Sequence, residues 1–69
     1  MTDTSALRTK IDESGMSIEA FSKKAEMLRE TLYNRLNGKG EFKASEIQNI
    51  TRVLNLTREE RDNIFLLKA

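Results

Sequence analysis

Cysteine, histidine and proline are all missing from this 69-residue chain, and each absence closes off a route. Without cysteine there are no disulfides and no thiolate metal sites, and a reducing cytosolic setting is the natural fit. Without histidine the commonest general base and the commonest zinc ligand are gone. Without proline nothing breaks a helix from within, and no low-complexity tract, internal repeat or linker-like stretch divides the chain. No apolar run approaches the ~20 residues of a membrane span, and Met1 to Ser14 lacks the charged-then-apolar order of a signal peptide. No cofactor loop, metal cluster or nucleophile with a base is visible, so the expectation is no enzyme, no cofactor and no small-molecule substrate. A single domain is expected, with a modest core, because a chain this short buries only roughly 60% of its unfolded surface.

Charge is abundant but nearly balanced. Twelve basic and eleven acidic side chains leave +1 overall, a weak inducement to bind nucleic acid. Its distribution is uneven. Residues 1–22 carry Arg8 and Lys10 against Asp3, Asp12, Glu13 and Glu19, a balance of −2, and residues 44–69 carry four charges of each sign. Residues 23–43 set Lys23, Lys24, Arg29, Arg35, Lys39 and Lys43 against Glu26, Glu30 and Glu41, a balance of +3. A small phosphate-facing surface would have to lie there.

The spacing of apolar and capping residues predicts five short helices. Helix 1 starts after Asp3 or Thr4, turns Leu7 and Ile11 inward, and ends at Gly15, a residue that tolerates the left-handed closing conformation. Ser17 caps helix 2, which runs through Ala25. Helix 3 runs from about Arg29 to Leu36 and stops at the Asn37-Gly38 turn with Gly40 close behind. Phe42 anchors the following loop. Helix 4 covers about Ala44 to Leu54, with Ile47, Ile50, Val53 and Leu54 at helical spacing and Asn55 as its C-cap. Thr57 with Glu60 forms a capping box for helix 5, from Arg58 to about Leu67.

Within Ser17 to Gly38, SIEAFSKKAEMLRETLYNRLNG, Ile18, Phe21, Ala25, Met27, Leu32 and Leu36 can point inward. Arg29, Glu30, Tyr33 and Asn34 then share the outward face of helix 3. That is the pattern of a helix-turn-helix. Five short helices with this motif in the second and third resemble the Cro and lambda-repressor class of phage regulators. The phrase TLYNRLNGKG and the ending NLTREERDNIF are similar to small switch proteins from temperate phages of Gram-positive bacteria, both Cro-type repressors and short modulators acting on the lysogeny repressor. The resemblance implies an all-α, lambda repressor-like bundle working in the bacterial host cytosol. Three positions depart from the pattern. Glu26 stands where the family commonly has glycine in the turn, Leu28 where a serine or threonine caps the reading helix, and Ile18 where a glutamine often meets the DNA backbone.

The resemblance places Arg29 and Asn34 at base-reading positions, and their chemistry suits guanine O6/N7 and adenine N6/N7 respectively. Glu30 can accept from cytosine N4, or simply favour the positive end of the helix dipole. Tyr33 has four alternatives: a thymine methyl, a phosphate, a protein partner, or partial burial against Lys39 or Arg29. Lys39 and Lys43 follow the reading helix where the family places backbone contacts, whereas Lys23 and Lys24 read as a solvated face. Leu28, aligned with Leu32 and Leu36, is either the edge of the core or an exposed contact. Ile64, Phe65, Leu66 and Leu67 are four consecutive apolar residues, and one helix face cannot bury all four. The remainder either folds over helix 1 or meets a partner.

Two functions follow. The first is a regulator that docks helix 3 on double-stranded operator DNA and pairs as a homodimer through helix 5. The second is a modulator, or antirepressor, that presents Leu28, Tyr33 and neighbouring residues to the companion repressor and occludes its DNA-binding surface. The candidate protein-interface residues are Leu28, Tyr33, Ile64, Leu66 and Leu67.

Overall fold

Asp3 precedes the first helix because its carboxylate supplies the acceptor that a helix's first amides lack. In the computed structural model, which describes residues 2–67, Asp3 Oδ1 accepts the Ala6 amide at 3.0 Å. The chain then forms α1 (Thr4–Glu13), α2 (Ile18–Lys24), α3 (Arg29–Leu36), α4 (Ala44–Leu54) and α5 (Arg58–Phe65), with no strand among the described residues. None of these helices is long and apolar enough to cross a membrane.

Most helix ends follow from local side chains. Ser17 Oγ accepts the Ala20 amide at 3.1 Å and starts α2. Thr57 and Glu60 cap each other reciprocally at 3.1 and 2.8 Å, as the capping box requires. Asn55 closes α4 in the left-handed conformation, at φ 52°, and the Leu56 amide returns to the Thr51 carbonyl at 3.0 Å. Asparagine tolerates this conformation better than most residues.

α5 departs from the expected boundary. It ends at Phe65, not near Leu67, because Leu66 turns left-handed at φ 54° and the Leu67 amide folds back to the Asp62 carbonyl at 2.9 Å. This break resolves the crowding of four adjacent apolar residues. Ile64 and Phe65 enter the core, and Leu66 and Leu67 stay 49% and 42% exposed. Ile64, expected at a protein interface, is therefore a core residue.

The core gathers Leu7 and Ile11 from α1, Phe21 and Ala25 from α2, Leu32 and Leu36 from α3, and Ile50 from α4. Phe42 anchors the α3–α4 loop as expected, its ring meeting Phe65 edge-on with centroids 5.4 Å apart, a favoured aromatic geometry. Ser22 is also buried, and its hydroxyl donates to the Glu19 carbonyl at 2.8 Å. A small side chain that satisfies itself within its own helix carries no burial penalty for an unpaired group.

α1 is tied to α5 by polar bonds as well as packing. The Asp3 amide donates to the Ile64 carbonyl at 2.7 Å, and Lys10 Nζ to Glu60 Oε2 at 2.7 Å. The Lys10 hydrogen bond, followed by that from the Thr57 amide, holds Glu60 at about 2 against an ordinary 4.5, and the same Lys10–Glu60 hydrogen bond raises Lys10 above 10.5. Glu60's contribution to stability is complete above about 4.5 and disappears as pH falls toward 2. Lys10's is complete below 10.5 and is lost as pH rises through its raised value. In acid titrations followed by circular dichroism, wild type is expected to lose stability faster than Glu60→Gln across the pH window from 4.5 down to 2. Superimposable curves would show that the pair has no part in acid unfolding.

Candidate nucleic-acid interface

α3 carries its apolar residues on one side and its chemistry on the other. Leu32 and Leu36 are buried one turn apart, so the residues between them must face outward or sideways. Arg29 and Glu30 are exposed, Tyr33 is 42% exposed, and Asn34 is half-buried. The four expected site residues of the helix thus share an accessible arc. Tyr33 is not withdrawn into the core.

Four residues connect α2 to α3, and their geometry decides how the two helices meet. Glu26 adopts φ 57°, and the Met27 amide reaches back to the Ser22 carbonyl at 2.9 Å. That is a Schellman-type closure of α2. It uses glutamate where glycine is easiest, because glycine has no Cβ to oppose the left-handed conformation. Met27 packs against the core at the start of α3. Leu28 occupies the N-cap with no side-chain hydrogen bond and is 76% exposed. The alternative that placed Leu28 at the edge of the core is therefore overturned: in extended backbone one residue ahead of α3, it falls outside the stripe of Leu32 and Leu36.

The tertiary structure also sorts the charges of residues 23–43. Glu26 pairs with Arg52 of α4 at 3.5 Å, and Arg35 pairs with Glu46 of α4 at 3.4 Å. Glu41 has a partner too. The side chains of Lys23, Lys24, Arg29, Lys39 and Lys43 are exposed and join no ion pair among the described residues, and the same holds for Glu30 as the acid on α3. On α3 itself this leaves Arg29 and Glu30 as the charges outside an ion pair, and beyond the helix it leaves the exposed Lys23, Lys24, Lys39 and Lys43. Lys39 is held close to the helix end, its amide donating to the Asn34 carbonyl at 2.7 Å. Arg8 of α1 braces the same end through Asn37 Oδ1 at 3.0 Å.

Leu66 and Leu67 belong to a different surface. Leu67 borders α4, where it lines a shallow groove with Ala44, Ile47, Gln48, Thr51 and Arg61. No cluster of three or more metal-ligating side chains occurs among the described residues. The shifted titrations of Lys10 and Glu60 lie between α1 and α5.

The sequence reading missed three structural residues: Ser22, Glu46 and Arg52. Glu46 stands three residues after the position preceding α4, which is a recognisable capping signal. Nothing local marks Arg52 as a partner for Glu26. The chain matches no protein-family model, no curated protein and no solved structure. Its functional reading therefore rests on the residues themselves.

Proposed function

We propose that the protein is a helix-turn-helix transcriptional regulator of a phage lysis/lysogeny switch, binding operator DNA through the outward face of α3. The observation that carries this reading is the set of exposed cations between residues 23 and 43 that join no ion pair among the described residues, Lys23, Lys24, Arg29, Lys39 and Lys43, while the acids Glu26 and Glu46 are engaged by arginines. Arg29 and Asn34 read base edges, Tyr33 meets a thymine methyl or a phosphate, and Glu30 accepts from a cytosine amino group. Lys39 and Lys43 neutralise phosphates and hold the register. The left-handed turn at Glu26 supports the motif, since it provides the tight α2–α3 connection for which the family commonly uses glycine. Leu66 and Leu67, with Ile64 removed to the core, supply the apolar surface for pairing two copies on a two-fold operator.

A second reading is favoured by Leu28. A leucine 76% exposed at the head of α3, on a helix that also carries a 42% exposed tyrosine, suits a protein partner, and a modulator would present it to the companion repressor. One experiment separates the two: titration of the protein against switch-region duplex DNA and against the repressor, at low salt, with wild type and Leu28→Ser. A DNA reader gains a capping hydroxyl worth about 1 kcal/mol and keeps its DNA affinity. A modulator loses about 1–3 kcal/mol of repressor affinity with the leucine contact. No DNA binding by wild type at low salt overturns the regulator reading. Unchanged repressor binding for both Leu28→Ser and Tyr33→Ala overturns the modulator reading.

A further inference from the structure

Of the two arginines on α3, Arg29 is free and Arg35 is not. The Arg35 side chain is only 17% exposed and that of Glu46 15%. Glu46 Oε1 accepts from Arg35 Nε at 3.4 Å and from the Lys43 backbone amide at 2.8 Å. One carboxylate oxygen therefore joins the last turn of α3 to the residue that precedes α4, closing the 37–43 loop at both ends. In mid-loop, Gly40 lies against the arginine at φ +90°, and a Cβ there would stand 2.9 Å from Arg35 Nη1. The loop is further held by Phe42 in the core and by the Lys39 amide on the Asn34 carbonyl. Within this fixed loop the side chains of Lys39 and Lys43 remain exposed.

We propose that Arg35 and Glu46 are positioning residues that fix the 37–43 loop so that Lys39 and Lys43 grip the phosphate backbone of duplex DNA, an inference that rests on the DNA-binding reading above. A loop ordered in advance lowers the entropy lost when its lysines settle on phosphates. Arg35, which the charge balance of the sequence would count toward DNA, acts on the loop instead. This assignment reverses the expectation from charge alone. Removing the Glu46 carboxylate raises the net charge from the native +1, and long-range attraction by itself would then tighten binding to a polyanion. Loss of positioning weakens it.

The test is a fluorescence-anisotropy titration of random-sequence duplex DNA across a salt series. Glu46→Ala should bind about 3- to 10-fold more weakly at low salt, and its log–log salt slope should fall by roughly 0.9 for each lysine that leaves its phosphate. Glu46→Gln carries the same net charge as Glu46→Ala but keeps a neutral acceptor for Arg35 and the Lys43 amide, so it should bind at least as tightly as wild type. Equal tightening by the alanine and glutamine variants would overturn the proposal. Gly40→Ala, which strains the loop at φ +90° and crowds the Arg35 guanidinium without altering charge, should weaken binding in the same direction, and it tests loop positioning even if Glu46→Ala does not fold. Unchanged binding by Gly40→Ala, with circular dichroism showing intact helices, would also overturn it. The Lys39→Ala/Lys43→Ala double variant addresses the underlying reading separately: binding equal to wild type there would remove the phosphate contacts themselves, whatever Glu46 does.

Discussion

Phe21→Ala is expected to cost about 3–5 kcal/mol of folding stability, the usual price of deleting a fully buried phenylalanine with little collapse of the cavity. Phe21 is among the largest fully buried side chains of the molecule, 0% exposed, and it lies in the same core as Leu7, Leu32 and Ile50. A domain of this length has a total stability of only roughly 3–10 kcal/mol. The substitution therefore removes a large fraction of it, and at the low end of that range the chain unfolds outright. Urea denaturation followed by circular dichroism is the measurement, with Phe21→Leu, which leaves a smaller void, expected to lose less. Lys24→Ala, on the exposed side of the same helix, should change stability by under about 0.5 kcal/mol. A loss below about 1 kcal/mol for Phe21→Ala would show that α2 and α3 are held in register by something other than this core. If the proposed DNA-binding reading holds, duplex binding should decline with the folded fraction, because α3 has no independent means of keeping its orientation.

On the proposed DNA-binding reading, Arg29→Ala should cost about 1–3 kcal/mol on a duplex enriched from a randomised pool by the protein itself, or about 5- to 150-fold in affinity. The loss should come with relaxed preference at one base position, since the guanidinium fork is what distinguishes guanine from the other bases. Arg29 suits this role because it lies in the first turn of α3, exposed and without an ion pair, so no internal partner has to be given up when it meets DNA. Lys43→Ala should behave differently, weakening selected and random duplexes alike and lowering the salt slope by roughly 0.9. Repeating the pool selection with Arg29→Ala shows which position is relaxed. A uniform loss across all sequences would make Arg29 a phosphate contact and leave base reading to Asn34, Tyr33 and Glu30.

Much of the fold was legible because its determinants are local. Ser17, Asn55 and the Thr57–Glu60 pair mark helix ends through bonds spanning four residues or fewer, and such signals survive in a bare sequence. Leu7 and Ile11, or Leu32 and Leu36, show which face turns inward by spacing alone. The face of α3 that carries Arg29, Glu30, Tyr33 and Asn34 was legible for the same reason. Leu28 was not, because spacing aligned it with the core stripe although the helix had not yet begun at that residue. The end of α5 was also hidden. Four apolar residues in a row do not reveal which pair is buried; in the fold Phe65 meets Phe42 of the α3–α4 loop, and the chain turns left-handed at Leu66 directly after it.

The sequence by itself determined five helices, most of their ends and the outward face of α3, because helix capping and 3.6-residue periodicity act over one turn. Only the tertiary structure decided which charges are free. Arg35 with Glu46, Glu26 with Arg52, and Lys10 with Glu60 are pairs between different elements, brought together by the packing of the core. Removing those pairs from the count leaves Lys23, Lys24, Arg29, Lys39 and Lys43 exposed and outside any ion pair among the described residues. A charge becomes available to a phosphate only when folding has not already given it a partner.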